Sequence, residues 1–481
     1  YKNELANRTK WQKTLDILTE IWGLTRALRA TGEFSFIMLQ MGKQVLAHPI
    51  NAANAFKTMF THMFSQERAE QWERNLKLQD FYPELKASKL AITENNIKLS
   101  VREEAFISSW VSHIWDYIGY PLKLVSEKAW NGWKAVNPTR FVERAGTMFM
   151  NQMRVERFLQ GREMLKAQGK TIETNPEAYK NMADVINTLT GRASIGSAEQ
   201  LAPKLSILFF SPRMWAAQIK TSTPYAFIWL AQKGDKGTYK PSVAQKMAIG
   251  DMMKWMASTG AMVAFTKLAW DALHDDDDEK DQLTIEMDPT SSNFMKIKCG
   301  NIVVDPWAGS AQQVTFFARM FYGTIKKASG EILPLGLPYK TSTRMELMIT
   351  QIRNKMSPSA GLAYNALDAR LKGRKGEYVK TDKFGQPYSL EDELIASTYP
   401  IFWDTIIDLH EEQPATVQAF LDFLAFIGYG VQVQEDKKKK EAEGKGTGTG
   451  PGAGKSMDAG SSKSGGSEPG SGKSMGPGMG K

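Results

Sequence analysis

Apolar residues recur at three- and four-residue steps through most of the chain, and that spacing predicts helices. In WQKTLDILTEIWGLTRALRA, Trp11, Leu15, Ile17, Leu18, Ile21, Trp22 and Leu28 form one apolar stripe on a basic-rimmed helix. NAANAFKTMFTHMFSQERAEQWERNLKLQ continues in the same manner, as do RFVERAGTMFMNQMRVERFLQGREMLKAQG and NPEAYKNMADVINTLTG. In the last of these Asn175 is placed to cap, Pro176 suits the first turn, and Gly191 stops the helix. AEQLAPKLSILFF follows as one more helix. Ser211-Pro212-Arg213 then gives a cap and a first-turn proline, with Arg213 able to reach a carboxylate or a phosphate. Met247 to Leu273 is the most apolar stretch. Its uncharged core WMASTGAMVAFT is bracketed by Lys254 and Lys267, too short to span a bilayer, and predicts a buried helix with small residues for close packing. Further helices are expected over AGSAQQVTFFARMFYGTIKK, RMELMITQIRNKMSP, AGLAYNALDARLKG, IFWDTIIDL and ATVQAFLDFLAF, with Ser389 capping LEDELIAS.

Alternation of period two is clear in one place. In LTIEMD and FMKIKC, residues Leu283, Ile285, Met287, Met295, Ile297 and Cys299 share one face, and Glu286, Lys296 and Lys298 the other. NIVVD completes a three-stranded antiparallel meander over residues 283 to 305, joined by turns at DPTSSN and Gly300-Asn301 and covered by the helices at 247 to 273 and 309 to 328. A hairpin is also expected at KLAITENNIKLS, and a capping box at Ser100 and Glu103 starts the next helix. The predicted fold is mainly α: a multi-helix body with one small antiparallel β-meander inserted and a disordered C-terminal tail. The segments are an N-terminal helical region over 1–190, a helical domain over 191–434, and a Lys then Gly/Ser-rich tail over 435–481.

Composition places the chain among globular proteins: 481 residues, 42% hydrophobic and 10% aromatic. The net charge of +9 divides unevenly, because the tail from Glu435 holds nine lysines against six acids and leaves only +6 for the 434 residues before it. That mild bias does not describe a dedicated nucleic-acid binder. A single cysteine, Cys299, excludes a disulfide scaffold within the chain and a Cys-rich zinc site. The first residue is Tyr1, which points to a piece of a longer or processed protein.

Candidate chemistry thins on inspection. GTGTGPGAGKS ends in the Gly-Lys-Ser of a phosphate-binding loop, but Thr449 stands where the first glycine belongs, and Ser467 does so for Gly472-Lys473-Ser474. No apolar strand precedes either, so both read as flexible tail and no cofactor is expected. The acidic run His274 to Asp281 reads as a solvated loop rather than a metal site, since consecutive side chains diverge. Glu103 and Glu104 have a capping explanation. With five scattered histidines, one cysteine and no nucleophile-base constellation, no catalytic residue is assigned.

The order of several signatures resembles a known family. INTLTGRASIGSAEQLAPKLSILFFSPR, MDPTSSNFMKIKCGNIVVDPWAGSAQQV, RMELMITQIRNKMSPSAGLAYNAL with GQPYSLEDELI, and FLDFLAFIGYGVQV together resemble the large polyvalent protein-associated domains. These sit in very long proteins of tailed bacteriophages and conjugative elements. EFSFIMLQMGKQVLAHPINAANAFKTMF and EEAFISSW look like the region leading into that domain, so the similarity runs over nearly all of Ala30 to Gln434. The resemblance implies a protein packaged with the phage genome and delivered beside it, where attached enzymatic or antirestriction domains act early. It carries no catalytic residue onto this chain.

The expected function is therefore a non-enzymatic structural or accessory module of a phage or mobile-element polyvalent protein. It would reside in the virion, then in the host cytoplasm, with other virion or co-delivered proteins as partners. Two alternatives stand beside it. An ejection protein that contacts or lines a conduit through the host membrane would use 247 to 273 and TSTPYAFIWLAQ. A DNA-binding module without sequence preference would use Arg26, Arg29, Arg213, Lys372, Arg374 and Lys375, together with Lys380, Lys383 and the tail lysines 437 to 440.

Overall fold

The computed structural model of the chain describes residues 34–93, 109–273, 283–371 and 415–433, apart from isolated positions, together with the short strand pair 380–381 and 387–388. Helices dominate. In chain order the body comprises α1 (Gly42–Ala47), α2 (Pro49–His62), α3 (Pro138–Lys166), α4 (Pro176–Leu189), α5 (Pro212–Ser222), α6 (Val243–Leu273), α7 (Ser310–Tyr322), α8 (Arg344–Arg353) and α9 (Ala415–Phe426). Others, including Gln66–Lys77, Ser109–Val125 and Tyr225–Ala231, lie between them.

α3 is the spine. Asn137 opens it by accepting the Arg140 backbone N–H at 3.3 Å. Its first half presents Phe149, Met150 and Met153 to a cluster with Met41, Ala55, Met59 and Tyr429. Further along, Phe158 and Leu165 join Tyr179, Met182 and Ile186 of α4, Trp229, and Met247 and Ala248 of α6. Both clusters thus draw on residues from either side of position 190. Each fully buried side chain of this size contributes about 1.5–3 kcal/mol, so the interlocked clusters bind distant segments of the chain into one packing problem.

Local signals place the helix ends with mixed success. α4 closes as the glycine predicts: Gly191 adopts φ 75°, its N–H donates to Thr188 at 3.1 Å, and Arg192 N–H donates to Asn187 at 2.8 Å. This pair of bonds is the Schellman closure, which needs a left-handed residue. Asn175 and Ser211 occupy their cap positions, but neither side chain makes a cap hydrogen bond, and a proline follows each. The single helix expected over 198–210 is instead a 3-10 turn, Gly196–Leu201, running into Ala202–Leu208. α8 carries a complete capping box between Thr343 and Glu346. α6 is buried along one side only: Ala248, Trp255 and Thr259 face the body, while Met253 and Phe265 are 61% and 73% exposed.

The meander gains a strand. β1 (Leu283–Ile285), β2 (Ile297–Cys299) and β3 (Ile302–Asp305) pair antiparallel in sequence order, and β4 (Gly430–Val433) adds to the free side of β3. α6 supplies Val263 to a cluster with Leu283 and Ile297, as expected. The second cover is α9, whose Leu421 and Ala425 pack on Ile302 and Val431. α7 instead holds the β1–β2 connection, with Arg319 Nε donating to Thr290 O at 2.7 Å.

The alternation fails at the ends of β1 and β2. Met287, expected inside, is exposed, and Lys296, expected in water, is only 3% exposed. The cause is local: Met295 has φ 56°, so the backbone turns between Phe294 and Ile297 and Lys296 leaves the strand pleat. The Lys296 charge then acts on buried Asp305. Glu286 is half-buried and paired with Lys326 at 2.8 Å. Residues 90 to 93 form no strand, and the remainder of that expected hairpin lies outside the described residues. So do the helix at 11–28, the Ser100–Glu103 box, the acidic run at 274–281, Ser389 with the helices at 390–397 and 401–409, and the tail. Two further antiparallel ladders, Thr324–Lys326 with Ile332–Pro334 and Lys380–Thr381 with Pro387–Tyr388, were not expected.

Candidate functional site

The densest buried chemistry gathers where α1 lies along α6. Gln44 and Lys43 are adjacent on α1, and Asp251 and Trp255 are one turn apart on α6, so the two helices meet through two neighbouring polar contacts. Gln44 Nε2 donates to Asp251 Oδ2 at 2.9 Å. Lys43 Nζ stands 5.1 Å from the Trp255 ring centre, over its face.

Asp251 is the hub. His48, at the start of α2, brings Nε2 to 2.8 Å from Oδ1; because a carboxylate only accepts, the ring hydrogen is assigned to Nε2. Arg157 of α3 places one Nη2 at 2.8 Å from both carboxylate oxygens. Arg157 also donates to Gln160, which in turn reaches Asn51 at 3.4 Å. Burial would raise the Asp251 carboxyl, but the His48 hydrogen bond, the Arg157 charge and the Gln44 amide outweigh it and hold the group below the usual carboxylate range. A carboxylate with this many donors converging on it is an anchor for α1, α2, α3 and α6 rather than a proton acceptor.

Lys43 differs in having hydroxyls for partners. It donates to Thr221 Oγ1 at 2.6 Å and Ser222 Oγ at 3.1 Å, at the end of α5. Burial pushes its ammonium down to about 7. A cavity of about 20 Å³ opens beside it, lined in part by Met38, Thr188, Leu189, Met214 and Gln218. About 10–15 Å³ suffices for one water, so this space suits a molecule of that size and not a nucleotide. Elsewhere, burial raises Glu143 to about 7 against the opposing charges of Arg144 and Arg140, and burial lowers Lys355 to about 8.

Of the basic residues singled out for phosphate contact, Arg213 and Lys380, the latter in the short strand at 380–381, lie in the described part. Arg213 Nη2 meets Glu199 at 2.7 Å, so its reach is spent on a carboxylate. Arg26, Arg29, Lys372, Arg374 and Lys375 lie outside the described residues. Among the described residues no group of three or more His, Cys, Asp or Glu side chains is placed to hold a metal ion, and no helix is long and apolar enough to cross a membrane. Sequence reasoning missed the Asp251 hub. Its readable signal was a lone acid in the otherwise apolar run 247–253.

No protein-family model matches the chain, and no curated protein or solved structure matches it either.

Proposed function

We propose that this chain is a structural or accessory module, without catalytic activity of its own, of a phage or mobile-element polyvalent protein, packaged with the DNA and delivered with it into the host. The observation that carries this reading is apolar surface left uncovered at helical spacing. On α8, Met345, Met348, Ile349 and Ile352 stand at i, i+3, i+4 and i+7 and are all exposed. Ile249, Met253 and Met256 do the same at i, i+4 and i+7 along α6, and Phe265 and Leu268 are exposed on another side of it. Stripes of this kind favour burial against other proteins, and methionine adapts to irregular partners. A packaged module that assembles with co-delivered proteins needs such faces.

Mass spectrometry of purified particles from the source element tests the proposal. The chain should be present in the particle, and a Met348→Glu/Ile349→Glu variant should be under-incorporated while keeping its melting temperature. Absence of the wild-type chain from particles would sink it. A chain that lines a membrane conduit would instead release dye from liposomes. A DNA-binding module would retain duplex DNA in a manner that weakens steeply with salt.

A further inference from the structure

The cavity beside Lys43 has polar walls whose hydrogen-bonding capacity the protein leaves partly unused. Thr188 Oγ1 and Gln218 Oε1 are buried and have no hydrogen-bond partner, and both residues line the cavity. The residues themselves are 2% and 6% exposed. Buried polar atoms in folded proteins are nearly always paired, with ordered water where protein groups do not serve. Lys43 adds a donor. As an ammonium it has three hydrogens, of which two go to Thr221 and Ser222. The Thr221 hydroxyl donates its own hydrogen to Ala217 O at 2.7 Å, so toward Lys43 it can only accept. The third ammonium hydrogen has no protein acceptor, and Lys43 lines the cavity.

Charge narrows the occupant. The cavity borders the C-terminal end of α4, where the helix dipole carries negative partial charge, and this disfavours an anion. Lys43 in its ammonium form already supplies positive charge, so a second cation is repelled. What remains is a neutral molecule of about one-water volume that accepts one hydrogen bond and donates two. We propose that the cavity is a binding site for a single structural water, which accepts from Lys43 Nζ and donates to Gln218 Oε1 and Thr188 Oγ1. The water joins side chains of α1, α4 and α5.

The test uses the full chain in solution. Oxygen-17 relaxation dispersion counts long-lived internal waters, and the Thr188→Val/Gln218→Leu double variant should hold about one fewer than the wild type. An unchanged count would overturn the proposal. The wild type provides a measurement that does not depend on the variant folding: its dispersion should show at least one long-lived internal water, and a wild type without any would end the proposal. Replacing sodium chloride by ammonium chloride at constant ionic strength should leave the count of long-lived waters unchanged; loss of one would identify the occupant as ammonium instead.

Discussion

Asp251 shows how much a single side chain can bind together when its partners come from three other helices. Removing the carboxylate leaves Arg157 buried and short of its counter-charge, and breaking a buried pair from one side costs about 3–5 kcal/mol. Asp251→Asn should therefore lower the urea midpoint strongly, whereas Asp251→Leu combined with Arg157→Met should cost less than the two single changes added together. A purely additive result would mean that the pair does not act as a unit. The pH dependence has a definite sign. The folded carboxyl is held below its unfolded value, so its stabilisation is present above about pH 4 and is lost as pH falls through the folded value. Thermal melts of wild type and Asp251→Asn should converge in acid. Lys43 runs the other way: its folded amine is lowered to about 7, so the folded state is penalised below that pH and gains stability as pH rises toward the unfolded value. Relative to Lys43→Met, the wild type should become more stable between pH 7 and pH 10, and a flat difference would show that burial does not shift this amine. Neither residue was legible as part of a site, because spacing along the chain says nothing about which helices meet; only the oddity of an acid within an apolar run was visible.

Elements were legible where one period governs a long stretch, and they became illegible where the backbone departs from it. The helical stripes predicted α3, α4 and α6 because burial of one face suffices to specify them. The inner face of the meander held at Leu283 and Ile297, yet the positive φ at Met295 removed Lys296 from the pattern, and nothing in FMKIKC announces that turn. β4 was invisible as a partner since GVQV lies far from NIVVD in sequence and strand pairing at that distance leaves no local trace. The consequence for substitution is specific. Ile297→Asp should destabilise the body by several kcal/mol, an unpaired charge in a buried cluster, and Lys298→Asp, on the exposed face, should stay within about 0.5 kcal/mol. Lys296→Asp should now behave like the former, placing a second acid beside Asp305. If denaturant melts rank Lys298→Asp as the damaging change, the register of β2 is wrong by one residue. Gly191 offers an independent check at a helix end: φ is 75°, and a methyl there would sit 3.1 Å from Gln40 Cβ, so Gly191→Ala should cost about 1 kcal/mol or more.

At the scale of the molecule, the two ends of the described chain are fastened to each other. Phe34 N–H donates to Phe426 O at 3.1 Å, Met38 N–H donates to Ile427 O at 3.2 Å, and the rings of Phe34 and Phe426 meet edge to face at 5.2 Å. Tyr429 enters the cluster built by α1, α2 and α3, and β4 closes one side of the sheet that α6 and α9 cover. A short C-terminal segment, residues 415 to 433, thus contributes to the core and to the sheet at once. The residues after it are of another kind: from Glu435 the chain is rich in Gly, Lys and Ser and holds no Val, Leu, Ile, Phe, Trp or Tyr, so it offers little apolar area for burial. Truncation separates the two directly. A chain ending at Gln434 should melt within error of the full-length protein, while one ending at Gln413 should lose its sharp thermal transition, because the aromatic contacts at Phe34, the Tyr429 packing and the β3–β4 ladder go together. The reverse order of effects, with the long tail needed and 415 to 433 dispensable, would show that these contacts do not hold the body closed.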